Sequence, residues 1–159
     1  MVTAMPARQH LHRLSKVWVE HPVYFLTVCT ANRRKLLDQP PVAEILLSSW
    51  RSAPEYYGWA IGRYVVMPDH VHFFGAPQLE ARSLSAFMRD WKKWTTRQMT
   101  EQGLATAPVW QPEFFDHVLR SPGSYVEKWA YVRENPVRAG LAAAAEAWPY
   151  AGECAVFRF

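Results

Sequence analysis

The sequence predicts an α+β domain built around an antiparallel sheet, and three patterns support this prediction. Short runs rich in β-branched and aromatic residues alternate with longer segments whose apolar residues recur at helical spacing. Two of the short runs are separated only by Pro68 and Asp69, which is typical of a hairpin and therefore of antiparallel strands. With 159 residues, 50% of them hydrophobic, the chain is long enough for one well-packed domain.

The first half of the chain predicts a strand, a helix and then the hairpin. Residues 23–30, VYFLTVCT, have the composition of a buried strand followed by a polar loop. Residues 41–57 place their apolar side chains at helical spacing. Residues 59–67 and 70–75 are the two strands of the hairpin.

The second half predicts a long amphipathic helix, a fourth strand and a last helix. Residues 83–102 carry an apolar stripe beside basic residues, and residues 114–120 have the composition of a strand. Ser121 opens the last helix, with a predicted capping box in Ser124 and Glu127. The order strand, helix, strand, strand, helix, strand is the split βαβ pattern of ferredoxin-like folds, here with one helix added.

The composition indicates the kind of partner and the cellular compartment to expect for this protein. A net charge of +4 and a pI near 9.2 favour an anionic partner, most commonly nucleic acid. Two cysteines without metal-ligand spacing favour a reducing cytoplasm, and the lack of a long apolar run predicts a soluble protein with no membrane partner. We expect a basic N-terminal segment at residues 1–20, a single domain at 21–150 and a tail at 151–159.

Two pairs of residues suggest a metal site. His70 and His72 occupy alternate positions of a predicted strand, so both imidazoles face the same side. Tyr131 and Asn135 lie four residues apart on the last helix and share a face. If that face covers the histidines, two imidazoles and one amide oxygen surround a point with open positions, as a catalytic metal requires. By themselves, two strand histidines are more often ordinary polar surface, and an asparagine before a proline often ends a helix.

Four segments resemble those of a transposase family. MPDHVHFF is similar to the HUH signature (His, hydrophobic, His), and YVEKWAYVRENPVRAGL resembles the C-terminal helix of single-tyrosine HUH transposases. VYFLTVCTANRR and VWQPEFFDHVLRS extend the likeness to the IS200-like, REP-associated tyrosine transposases over roughly residues 20–150. The resemblance implies metal ligands at His70, His72 and Asn135 and a catalytic nucleophile at Tyr131, although wider relatives usually carry glutamine where this chain has Asn135.

The resemblance also implies an activity. The expected function is a metal-dependent transposase or endonuclease that cleaves and rejoins single-stranded DNA near palindromic, REP-type hairpins through a 5′-phosphotyrosine intermediate. Mg²⁺ or Mn²⁺ is the expected ion, and a monomer is favoured over a homodimer. The alternative is a domesticated protein that binds hairpins or single-stranded DNA without cutting. A rolling-circle initiator or relaxase would need further domains that 159 residues do not hold.

Basic and aromatic residues are the predicted DNA contacts, because cations neutralise phosphates and aromatic rings stack on unpaired bases. A solvated helix face is the alternative explanation for the basic stripe. His117, next to Asp116 on a predicted strand, is expected to support the metal ligands or touch DNA. The N-terminal segment is the expected contact to the foot of a hairpin. The predicted DNA-binding residues are Arg13, Arg33, Arg34, Arg89, Lys92, Lys93 and Arg97.

Overall fold

The computed structural model describes residues 15–20 and 22–159, which form both strands and helices. The strands are β1 (Ser15–Trp18), β2 (Val23–Cys29), β3 (Trp59–Val66), β4 (His70–Pro77), β5 (Phe115–Leu119), β6 (Ala151–Glu153) and β7 (Ala155–Arg158). The helices are α1 (Pro40–Tyr57), α2 (Leu84–Glu101), α3 (Pro122–Val132) and α4 (Asn135–Arg138), with short 3₁₀ turns at Ala31–Arg33 and Ala145–Ala147.

The main sheet has five strands in the order β5-β2-β4-β3-β6, and all neighbours in it are antiparallel. The sequence predicted four of these strands, β2 to β5. In the chain, α1 lies between β2 and β3, and α2 lies between β4 and β5. The α+β, ferredoxin-like architecture with an added C-terminal helix is therefore confirmed. β6 extends the sheet at one edge by pairing with β3.

Both ends of the described chain take part in the fold. β1 and β7 form a separate parallel pair, in which Ser15 is opposite Ala155. Residues predicted as an N-terminal segment and as a tail therefore both contribute strands. Arg13 and the rest of residues 1–14 lie outside the described residues. Within residues 15–20 and 22–159, no helix combines the length and apolar character needed to cross a membrane.

The last helix is shorter than the sequence predicted. α3 ends at Val132, and Asn135 begins the separate helix α4, so the expected single helix through Asn135 is wrong. The physical reason is Pro136, which has no amide hydrogen to donate to the Val132 carbonyl and disfavours helical geometry in the residue before it. Tyr131 and Asn135 consequently belong to two different helices.

The capping box of α3 also differs from the prediction. Ser121 Oγ accepts a hydrogen bond from the Ser124 backbone N–H at 3.1 Å, and Ser124 Oγ accepts one from the Ser121 backbone N–H at 3.2 Å. The box therefore joins Ser121 and Ser124, one turn earlier than the predicted pair of Ser124 and Glu127. Pro122 at the first helical position favours this earlier start, because its fixed φ suits a helix and its missing N–H needs no partner there.

Two hydrophobic clusters cover the two faces of the sheet. Phe73 of β4 belongs to the cluster formed with Trp50 of α1 and Trp91 of α2. The next residue, Phe74, belongs to the cluster formed with Tyr125 of α3. Because side chains alternate along a strand, the residues two and four positions before Phe74 share its face. His70 and His72 therefore lie on the face that α3 covers.

Candidate active site

His70 and His72 lie side by side on β4, with ring centroids 4.8 Å apart and ring planes 78° apart. The Nδ1 atom of His70 forms a hydrogen bond with Asp69 Oδ1 at 2.8 Å, and that of His72 forms one with Thr27 Oγ1 at 2.8 Å. His72 also stacks on Phe25, at 5.2 Å between centroids. Within the described residues, neither Nε2 atom has a hydrogen-bond partner. Two oriented imidazoles with free Nε2 atoms are a suitable pair of ligands for one cation.

Asp69 connects His70 to the loop after β2. Its second carboxylate oxygen accepts a hydrogen bond from Arg33 Nε at 3.0 Å, and Arg33 Nη1 lies 2.8 Å from Cys29 Sγ. Asn32 and Arg33 have φ values of 56° and 53°, in the left-handed region that costs a non-glycine residue about 1 kcal/mol or more. This turn places the Arg33 guanidinium beside the histidine pair, and Asp69 partly neutralises its charge.

Burial and nearby charges determine the protonation states of His72 and Asp69. Burial, and to a smaller extent the positive charges of His70, Lys128 and Arg33, together lower the pKa of His72 to about 3. Burial alone would raise the pKa of the Asp69 carboxyl, but its hydrogen bond to His70 and the charge of Arg33 bring that pKa below its usual value. Near pH 7, His72 is therefore neutral and Asp69 is ionised. A neutral histidine can bind a metal, and an ionised carboxylate can orient a neighbouring histidine ligand.

The buried His72 gives a first prediction, for the metal-free protein. Its pKa of about 3 in the folded state lies below the ordinary value of 6.5, so between these values the unfolded chain takes up a proton that the folded protein does not. The free energy of unfolding should therefore fall as the pH drops from 6.5 toward 3, by at most about 1.4 kcal/mol per pH unit from this group. In His72→Phe the loss should be smaller, whereas His117→Phe, at an exposed position, should behave as wild type. Urea unfolding in EDTA at several pH values measures this, and equal losses in His72→Phe and wild type would contradict it.

α3 packs on the face that carries the histidines. The ring centroids of Tyr125 and Trp129 lie 4.8 Å and 6.3 Å from that of Phe74. Lys128 Nζ lies 4.7 Å from the centroid of Phe25, the ring on which His72 stacks. The helix that bears Tyr131 thus packs on the histidine face of the sheet.

Tyr131 lies near the C-terminal end of α3 and is largely exposed to solvent. Its side chain is 63% exposed, and the Arg138 guanidinium carbon lies 4.1 Å from its ring centroid. Arg138 Nη2 also donates to the Tyr131 carbonyl at 2.6 Å and to Asn135 Oδ1. The structure therefore groups Tyr131 and Asn135 around Arg138. Among the described residues it shows no hydrogen bond or ring contact between this group and either histidine.

The donors that are present fit a divalent ion in part. Two imidazoles suit Mn²⁺ or another transition ion better than Mg²⁺. Asn135 Oδ1 already accepts a hydrogen bond from Arg138, so it would have to exchange that bond to become a ligand. The part of the chain that the structure describes contains no cluster of three or more His, Cys, Asp or Glu residues that could hold a metal. The residues present therefore fit a metal site with two histidine ligands. The other ligands would come from an amide, water or substrate oxygens.

Most of the predicted DNA-binding residues are engaged within the protein. Lys92 Nζ donates to three carbonyl oxygens of residues 111–113 at 2.9 to 3.0 Å, and the Arg34 guanidinium donates to Thr106 and Pro108. Both side chains thereby hold the loop between α2 and β5. Arg89 pairs with Asp90, and Arg97 pairs with Glu101.

The predicted basic residues also lie on different faces. α2 covers the face opposite the histidines, and on this helix Lys93 is exposed and forms no hydrogen bond or ion pair with the described residues. Arg33 is the predicted DNA-binding residue that the structure places beside the histidines. His117 is exposed and lies opposite Phe25 on the histidine face, without a hydrogen bond to the described residues.

Sequence reasoning missed several contributors to the site. Asp69 was assigned only to the hairpin turn, although its position next to His70 was a usable signal. Lys128 precedes Tyr131 by three residues, so helical spacing alone puts the two side chains on neighbouring turns. Thr27 gave no local signal, because its contact with His72 depends on cross-strand register.

Comparison with known proteins decides the family. The family model described as "Transposase IS200 like" matches residues 19–123, about two thirds of the chain, including both histidines. The chain belongs to the IS200-like transposase family. Family membership supports a DNA-processing enzyme, and the resemblance drawn from the four sequence segments is confirmed. The match ends before Tyr131 and Asn135.

Individual relatives of this IS200-like transposase agree with the family model. A REP-associated tyrosine transposase of Escherichia coli (strain K12) is 26% identical over 138 residues, which cover 85% of this chain and 78% of that protein. A protein of Haemophilus influenzae (strain ATCC 51907 / DSM 11121 / KW20 / Rd) is 23% identical over 137 residues, which cover 80% of this chain and 77% of that protein. A solved structure of a REP-associated tyrosine transposase bound to a REP hairpin has a TM-score of 0.68 at 22% identity, over 89% of this chain and 82% of that one. This last likeness shows a shared fold.

Proposed function

We propose that this IS200-like transposase cleaves and rejoins single-stranded DNA near palindromic hairpins, with Tyr131 as the nucleophile. One observation carries the proposal: the paired imidazoles of His70 and His72, each oriented through Nδ1, lie on the face covered by the helix that bears Tyr131. In this proposal the two histidines hold a divalent ion, Mn²⁺ or Mg²⁺, and Asn135 is a third ligand once it leaves Arg138.

The covalent step can be written for the chain's own groups. The Tyr131 hydroxyl oxygen attacks the scissile phosphorus and forms a phosphotyrosine bond to the 5′ side, while its proton passes to solvent. The bond from phosphorus to the 3′ oxygen breaks, and that oxygen takes up a proton to become a free 3′-hydroxyl. A divalent ion bound by the histidines would stabilise charge on the phosphate oxygens. Attack by a 3′-hydroxyl on the phosphotyrosine reverses the step and joins strands, since the intermediate conserves the phosphodiester bond energy.

The proposed partner is a DNA hairpin with single-stranded DNA at its foot. The related transposase structure holds a REP hairpin, and this chain's net charge of +4 suits a polyanionic ligand. Exposed aromatic residues on the histidine face, such as Phe115 at 72% exposure, are suited to stacking on unpaired bases. We propose that the protein acts as a monomer.

A covalent-adduct assay tests this function. Labelled single-stranded oligonucleotides that carry palindromic hairpins from the source genome are incubated with the protein and Mn²⁺, and a denaturing gel separates free DNA from protein-bound DNA. The expected result is a slow-migrating adduct that EDTA abolishes. Tight hairpin binding without an adduct for any divalent metal would instead favour a non-cleaving hairpin-binding protein.

Asp69 gives a second prediction, for metal affinity. Asp69→Asn keeps the size of the side chain but removes the charge that orients His70 and pairs with Arg33. Mn²⁺ affinity, measured by titration calorimetry, should fall about tenfold or more. Asp90→Asn is the matched control, because it removes a carboxylate that pairs with two arginines, Arg82 and Arg89, at the other face of the sheet. Equal Mn²⁺ affinity in Asp69→Asn and wild type would show that the carboxylate does not support the site.

A further inference from the structure

Lys128 is a charged side chain of the site that neither the sequence prediction nor the proposed mechanism uses. It is half-buried, and its Nζ atom lies 4.7 Å from the centroid of Phe25. His72 stacks on the same ring, at 5.2 Å between centroids. Lys128 therefore lies on the histidine face, one helical turn before Tyr131 on the same helix.

The charge of Lys128 lacks an acidic partner. Among the described residues it forms no ion pair and no hydrogen bond, in contrast to Arg33, which pairs with Asp69. Contact with an aromatic face stabilises a cation only modestly. A second cation bound by His70 and His72 would repel the ammonium unless an anion lay between them. A negatively charged ligand that contacts both the ammonium group and the bound cation would offset this repulsion.

We infer that Lys128 binds the scissile phosphate of the DNA, and holds it between Tyr131 and the two histidines. This inference rests on the proposed function for the identity of the anion. The ammonium donates hydrogen bonds to a non-bridging phosphate oxygen, which is the geometry that charge-assisted hydrogen bonds favour. Lys128 thereby neutralises part of the charge that repels an attacking oxygen, and it fixes the phosphorus relative to the Tyr131 hydroxyl.

The test measures coupling between metal and DNA, so that it does not depend on cleavage. Mn²⁺ affinity of the full chain is measured by electron paramagnetic resonance, with and without a thymidine oligonucleotide. In wild type the oligonucleotide should tighten Mn²⁺ binding, because one phosphate contacts both the ion and Lys128. In Lys128→Met, Mn²⁺ alone should bind as tightly or more tightly, while the gain from the oligonucleotide should fall about tenfold.

Three variants make the result specific. Arg51→Met removes an exposed cation of α1, which packs on the opposite face, and should keep the full gain. Lys128→Arg preserves the charge and should keep most of it. Lys128→Gln replaces Lys128→Met if the latter does not fold, as judged by near-ultraviolet circular dichroism. Equal loss in Lys128→Arg and Lys128→Met, equal loss in Arg51→Met, or no metal–oligonucleotide coupling in wild type would each overturn the inference.

The inference and the proposed function fail in different ways. If wild type forms a covalent adduct while Lys128→Met shows unchanged coupling and an unchanged adduct rate, the cleavage function stands and the role of Lys128 is refuted. If wild type forms no adduct but loses coupling on Lys128→Met substitution, the phosphate site stands and the cleavage function is refuted.

Discussion

Tyr131→Phe is expected to abolish the covalent protein–DNA adduct, with a loss of at least about a thousandfold in its rate of formation. The substitution removes only a hydroxyl from a ring that is 63% exposed, and phenylalanine keeps the aromatic face against Arg138. The fold and the affinity for hairpin DNA should therefore be nearly unchanged. The denaturing-gel assay measures the adduct, and fluorescence anisotropy with a labelled hairpin measures binding.

The neighbouring tyrosine of α3 is the matched control for this experiment. Tyr125 is 5% exposed, packs against Phe74, and burial raises its pKa to about 12. Tyr125→Phe should therefore leave the adduct intact. An adduct that survives Tyr131→Phe and disappears in Tyr125→Phe would move the nucleophile to Tyr125, and one that survives both would place it outside α3.

Trp91→Ala is expected to cause the largest loss of stability, about 3 to 5 kcal/mol. Trp91 is fully buried, its ring lies parallel to that of Trp50 at 6.2 Å and 5.1 Å from that of Trp110, and its Nε1 donates to Ser49 Oγ at 2.8 Å. Truncation would leave a cavity between α1, α2 and the sheet. Because native domains are typically stable by only about 5 to 15 kcal/mol, a large share of the folding free energy would be lost.

Urea unfolding measures this loss, and an exposed tryptophan provides the comparison. Trp18→Ala, at a side chain that is 77% exposed, should change the free energy of unfolding by less than about 0.5 kcal/mol. The Trp91 cluster lies on the face opposite the histidines, so Trp91→Ala protein that remains folded should still form the adduct. A loss in Trp91→Ala no larger than that in Trp18→Ala would contradict the proposed importance of this cluster.

The order and bounds of the main elements could be predicted because their signals are local. α2 was predicted at residues 83–102 and extends over Leu84–Glu101, since an apolar stripe with helical period needs no distant partner to be recognised. β4 was predicted from residue 70, and the alternation of His70 and His72 set them on one face. The interruption before Asn135 was missed because helical spacing was extended to the residue just before Pro136, whereas α3 already ends at Val132, whose carbonyl Pro136 cannot pair with.

By itself, the sequence determined that a pair of histidines faces one way from a hairpin strand, and that a tyrosine follows on a later helix. Only the tertiary structure decided which groups surround them. Thr27 forms a hydrogen bond with His72, 45 positions later in the sequence. Arg34 donates one to Thr106, 72 positions later. Lys92 donates hydrogen bonds to a loop, whereas Lys128 contacts an aromatic ring and is proposed to bind an anion. This difference depends on packing between distant elements. Periodicity reports the direction of a side chain relative to its own element, whereas its partners depend on how those elements pack together.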